Sequence, residues 1–286
     1  MQWSGLTALL LTTTVIVQHA FSDAVTAQAA LEIRDFEAIK ASGAIRVGAD
    51  PTAGLPYVTY KNDEWAGFEV DIAQALGRHM KLAVTLVDVP WRELQHAVIE
   101  GKVDLACNAL EVRQAEGIRF SKPYYTASQA IITAKKTVGI YGVQDLSKRK
   151  VAVTTGSVAA AIVSRLRPPA FMMPQRDTVA PLQAIVEKRA DAAVLESAMA
   201  QAWLRNHAKE FQVVGRPMLP KGYGIAMRGG NVELHKAVEQ AIQGMKRSGE
   251  QEKILRDHHV WDVLQGSAKA IVPASGPLPS LPPRSR

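Results

Sequence analysis

Between Pro90 and Tyr125 the chain reads PWRELQHAVIEGKVDLACNALEVRQAEGIRFSKPYY, and over this stretch hydrophobic spacing, charge placement and turn chemistry all change. Leu94, Ala97 and Val98 recur at helical spacing behind Pro90, and Gly101 stands where a helix is ended by a left-handed residue. Val103 to Cys107 is a short apolar run bounded by turn signals, the pattern of a strand buried in a mostly parallel sheet. The predicted order is helix, strand, polar turn, helix, strand, with Asn108 to Arg113 delivered at the strand's carboxyl end. Open α/β sheets bind ligands at that edge, so the expected class is α/β with a site among these loops.

With 286 residues, 47% of them hydrophobic, the chain can bury a sizeable core in one or two domains. Its formal charge is +7, and becomes +8 without residues 1–29, which hold one acid, Asp23, and no Lys or Arg. The basic residues are interleaved with acids rather than gathered in a stripe, and no nucleic-acid motif is present. We therefore read a solvated basic surface, with no nucleic-acid partner. Residues 6–17, LTALLLTTTVIV, are apolar but too short to span a bilayer, and Ala27-Gln28-Ala29 supplies a small-residue cleavage pattern. A secretory signal peptide over residues 1–29 follows. The leading Met-Gln-Trp-Ser-Gly lacks the usual positive charge, which leaves an uncleaved anchor as the alternative.

Cys107 is the one cysteine, so no internal disulfide forms. A catalytic thiol partnered by His96 or His79 is the sharper reading, and a small buried side chain closing a strand is the expected one. His258-His259 lack the i, i+4 spacing of a two-ligand site, so no metal is expected.

Seven segments spread over residues 44–262 carry a resemblance. They are IRVGADPTAGLPYV, GFEVDIAQALG, PWRELQHAVIEGKVDL, RFSKPYY, VAVTTGSVAA, RADAAVLES and YGIAMRGG, in that order. Together they resemble the extracytoplasmic solute-binding proteins that serve ABC importers of polar amino acids. The resemblance implies a two-lobe, type II periplasmic binding protein, each lobe a sheet flanked by helices, joined by two hinge crossings. Lobe 1 is expected over residues 30–134 plus 224–266 and lobe 2 over 135–223, with a disordered Pro-rich tail over 267–286. It also implies a monomer in the periplasm that binds a small molecule, partners an ABC permease, holds no cofactor and performs no chemistry.

Residue by residue, the resemblance gives roles. An aromatic at the position of Tyr57 stacks over the ligand, and an acid at Glu196 holds its ammonium group. Glu196 also reads as a helix-start acid. Arg113 suits a carboxylate because its planar fork donates two parallel hydrogen bonds. Thr155-Gly156-Ser157, a polar turn between strand and helix, offers amides to an anion or simply caps the helix. Its glycine pattern is not a P-loop, so no nucleotide is expected. Trp91 either packs on the lobe core, the favoured reading, or lines the cleft. The polar turn departs from the family: it is about one residue short, Arg113 lies one step farther from Phe120, and Asn108 and Glu111 stand near the usual hydroxyls. The ligand is then other than a standard amino acid, or Glu111 pairs with Arg113.

Two rival classes share the fold resemblance: a cyclohexadienyl dehydratase-like enzyme using Glu111 or Glu196 as acid or base, and an accessory protein of a periplasmic quinoprotein dehydrogenase. A sensor input domain is a more distant third. The export reading is directly testable: intact mass of the exported protein should place its amino terminus at Ala30, and a membrane-bound form retaining Met1 would overturn it.

Overall fold

The computed structural model describes residues 33–265, so the expected signal peptide and Pro-rich tail lie outside the described residues. In chain order the first half supplies α1 (Phe36–Ser42), β1 (Ala44–Ala49), β2 (Thr59–Lys61), β3 (Glu64–Ala66), α2 (Phe68–Met80), β4 (Ala83–Asp88), α3 (Leu94–Ile99), β5 (Leu105–Ala106), β6 (Ile118–Phe120) and β7 (Tyr125–Ala134). The second half supplies β8 (Lys150–Thr154), α4 (Val158–Val163), β9 (Phe171–Gln175), α5 (Ala180–Val186), β10 (Ala192–Glu196), α6 (Ser197–His207), β11 (Phe211–Tyr223), β12 (Ala226–Arg228), α7 (Val232–Ser248) and α8 (Glu250–Asp257).

Ten of these strands form two five-stranded sheets, ordered β4-β1-β5-β12-β6 and β11-β7-β10-β8-β9, while β2 pairs with β3 alone. In the first, β1 runs parallel to β4 and β5, and the returning β12 is antiparallel to β5 and β6. In the second, β10, β8 and β9 are parallel and β7 is antiparallel to β10 and β11. The carboxyl ends of β1, β5, β8 and β10 are where loops can meet a ligand. The first core packs Phe68, Ile72 and Leu76 of α2 against Leu234, Val238 and Ile242 of α7 and Leu255 of α8. Asn231 caps α7 by accepting from the Leu234 amide, and Gly249 ends it at φ 77°.

Two expectations are corrected. Tyr125–Ala134 pairs on both sides within the second sheet, so the chain leaves the first sheet at Tyr125 and not after Ala134. Nor is there a helix between β5 and β6. The Val112 amide donates to Gly222 O at 2.9 Å, the Gly224 amide to Leu110 O at 3.0 Å, and Glu111 bridges Tyr223. Residues 110–112 are thereby held extended beside the end of β11, and tertiary pairing overrides the local preference for a helix.

Gly67 fixes how the loop after β1 meets α2. It precedes that helix at φ 128°, and the Phe68 and Glu69 amides donate back to Pro56 O and Tyr57 O. A Cβ at Gly67 would lie 2.0 Å from the Tyr57 carbonyl oxygen. Gly67→Ala should therefore cost about 2–4 kcal/mol, through overpacking and a strained φ together, read as a lowered denaturant midpoint with an unchanged slope.

Candidate functional site

Three acids organise the cleft side of the fold. Asp50 follows β1; its carboxylate accepts from the Thr52 amide at 2.8 Å, the Thr52 hydroxyl at 2.6 Å and the Trp91 amide at 2.7 Å. Its own amide donates to Asn108 Oδ1 at 2.6 Å, and Trp91 Nε1 donates to Asn108 O at 2.9 Å. Three loops are thus tied around one fully buried amide side chain.

Glu69, in the first turn of α2, is only 1% exposed. Its carboxylate accepts from Asn108 Nδ2 at 3.2 Å, from the Ala109 amide at 2.7 Å and from the Tyr124 hydroxyl. Burial outweighs those donors and pushes its pKa up to about 7. Asn108 therefore spends both ends of its amide inside lobe 1, positioning the turn rather than facing a ligand.

Glu196 closes β10 and opens α6. Its Oε1 accepts from the Tyr57 hydroxyl and, at 2.7 Å, from the Tyr223 hydroxyl. Tyr57 is 7% and Tyr223 2% exposed, and burial first, then the nearby carboxylate, raises both phenols well above their ordinary pKa. They stay protonated donors. The Tyr57 ring packs 5.5 Å from Phe68 in the first core, so what it presents to Glu196 is its hydroxyl. Lobe 1 and lobe 2 meet directly in this bond.

The remaining sequence candidates are placed unequally. Trp91 is 49% exposed and belongs to no apolar cluster of the described residues, so the expected packing on the lobe core does not occur. Arg113 is exposed and bonds to no group among the described residues, where no Glu111–Arg113 ion pair is found either. Thr155 is exposed, its amide donating to Gln175 O at 2.8 Å, while Ser157 caps α4 by accepting from the Ala160 amide. Cys107 is buried with its thiol toward Glu69 O. The histidines weighed as its partners bond elsewhere, His79 to Glu250 at 2.8 Å and His96 to Glu100 at 2.9 Å. Tyr223, Glu69 and Asp50 were not singled out in the sequence. A tyrosine closing a buried run carries a signal, because its hydroxyl needs a partner.

Residues 45–260 match the profile of the bacterial extracellular solute-binding proteins, family 3. The arginine-binding extracellular protein of Bacillus subtilis is 28% identical over 205 residues, covering 70% of this chain and 80% of that protein. Among solved structures, an ancestral cationic amino acid solute binding protein is 28% identical with a TM-score of 0.72, covering 78% of this chain and 98% of its own. An ancestral amino-acid-binding protein described as a precursor of cyclohexadienyl dehydratase is 29% identical with a TM-score of 0.60, at the same coverage.

Glu69 makes a pH prediction. An acid whose folded pKa lies above its unfolded value, here about 7 against 4.5, keeps its proton in the folded state after the unfolded chain has lost it. Its contribution to stability therefore falls as pH rises from about 4.5 to about 7 and is flat outside that window. Relative to Glu69→Gln, which carries no such titration, the wild type should lose about 3 kcal/mol across it, measured by urea unfolding at several pH values. A constant difference between the two proteins would rule this out.

Proposed function

The chain belongs to the bacterial extracellular solute-binding proteins, family 3, and on that premise we propose that it is the periplasmic amino-acid receptor of an ABC importer, handing its ligand to the permease. The observation that carries the reading is Glu196, an acid at the carboxyl end of a buried lobe 2 strand, oriented by hydroxyls from Tyr57 and Tyr223. Both hydroxyls bond Oε1, and Oε2 makes no hydrogen bond among the described residues. An ammonium group at Oε2 would meet a charge that no cation among the described residues cancels. Trp91 offers an exposed indole, Thr155 and Ser157 follow the carboxyl end of β8, and the exposed Arg113 guanidinium, unbonded among the described residues, suits the ligand's carboxylate. The relatives described as binding arginine or cationic amino acids support this class of ligand.

A second reading, elimination from a cyclohexadienyl dicarboxylate with Glu196 as the acid or base, is favoured by the neighbour described as a dehydratase precursor. Calorimetry with L-arginine, L-lysine, L-histidine and L-glutamine separates the two. Binding by at least one of them is expected, with Glu196→Ala and Arg113→Ala each weakening it by roughly 2–5 kcal/mol, about thirtyfold or more, in variants that melt cooperatively. An affinity for that ligand within threefold of wild type in Glu196→Ala would overturn the role of Glu196. Turnover of a cyclohexadienyl dicarboxylate without amino-acid binding would carry the enzyme reading instead.

A further inference from the structure

A cavity of about 500 Å³ lies beside the crossing strands and shares none of its lining with Tyr57, Trp91, Arg113 or Glu196. Its volume falls within the range of small-molecule sites, about 300–1,000 Å³. Ser128 and Ala130, two apart on β7, face it from one side of that strand. Ser128 is 1% exposed, and its Oγ has no hydrogen-bond partner among the described residues. Buried hydroxyls are normally satisfied, so this one is a donor and acceptor without an account inside the protein.

The rest of the wall is amphipathic. Val213 and Val214 of β11 and the Trp261 indole supply apolar surface. Arg216, exposed where the β11 register shifts between Val214 and Met218, forms no ion pair among the described residues. Asp262 accepts from the Leu264 amide and from Gln265 Nε2 through Oδ1, both at 2.9 Å, which leaves Oδ2 to a cation. Opposite charges, an apolar wall and an orphan hydroxyl together suit one class of molecule. We propose that this cavity is a second ligand site, taking a zwitterion of amino-acid size with an apolar side chain.

Its position gives the site a consequence. Trp261 packs against the lobe 1 core, while Val213, Val214 and Arg216 belong to the lobe 2 sheet. The segment that carries Trp261 is lashed to the start of the crossing strand: the Tyr125 hydroxyl donates to Val260 O at 3.1 Å, and the Gln265 amide group exchanges two hydrogen bonds with the backbone of Thr126. A molecule held there touches both lobes beside the hinge, so its binding and the clamp's opening are linked equilibria.

The test is a titration of the ¹⁵N-labelled full chain with L-phenylalanine, following the indole N–H resonances and assigning Trp261 by Trp261→Phe. A saturable shift of the Trp261 signal is expected. It should survive Glu196→Ala, which disables the cleft, and need at least tenfold more ligand in Arg216→Glu or in Gln201→Phe, which fills the cavity from a half-exposed position. The Trp91 indole reports the cleft separately, so failure of the amino-acid reading there leaves this result standing. No Trp261 shift up to about 10 mM probe, affinity too weak to matter, overturns the proposal. So does a shift lost in Glu196→Ala and unchanged in Arg216→Glu, because the signal then comes from the cleft.

Discussion

The chain crosses between its two sheets twice, and the two crossing strands pair with each other. β7 and β11 run antiparallel from Phe211↔Ala134 to Tyr223↔Tyr125, with two register shifts on the way. That pairing fixes where Tyr223 ends. The extended turn residues 110–112 then pair with the backbone at Gly222 to Gly224, so the loop that leads to Arg113 inherits its position from the crossing. This lobe 1 loop is in this sense built on the crossing strands, and a change in them must be felt at the loop.

Three buried or half-buried acids show how environment decides what becomes of a charge. Asp104 is held by the guanidinium groups of Arg34 and Arg46 and by the Arg46 amide, and its charge is spent within lobe 1. Glu69 has three neutral donors but is sealed away, and burial pushes it toward its protonated form. Glu196 has two neutral phenolic donors and remains partly exposed. Neutral hydroxyls orient a carboxylate without cancelling its charge.

Much of the architecture was legible because buried strands announce themselves as short apolar runs between turn residues, and Val151 to Thr154 and Asp191 to Leu195 fall on β8 and β10. The crossing point was less legible, since an apolar run such as Ala130 to Ala134 reads the same in either sheet. The missing helix after Cys107 could not be read locally, because the groups that hold residues 110–112 extended come from more than a hundred positions later. Trp91 is hard to read for a related reason: its 49% exposure follows from tertiary structure, in which its indole bonds Asn108 O from a separate loop. Glu69 is not legible because an acid in a helix's first turn reads as a solvated complement to the helix dipole, and nothing local betrays that Asn108, Ala109 and Tyr124 enclose it. Glu196 was legible as an acid at a strand's end, but its two tyrosine partners lie 139 positions before it and 27 after it.

The bond between Tyr57 and Glu196 has an energetic meaning for closure. Tyr57 packs in lobe 1 and Glu196 ends a lobe 2 strand, so any separation of the lobes at this point costs this bond. Hydrogen bonds to a charged group contribute about 1.5–3 kcal/mol net, enough to shift a closed population by more than tenfold. The Tyr57 bond uses Oε1, as does the Tyr223 bond, so both leave Oε2 without a hydrogen bond among the described residues. Part of the work of closure is then done by the protein itself. The ligand's own differential contacts have correspondingly less to supply, and its measured affinity reports the closed site more directly than it would in a clamp held open.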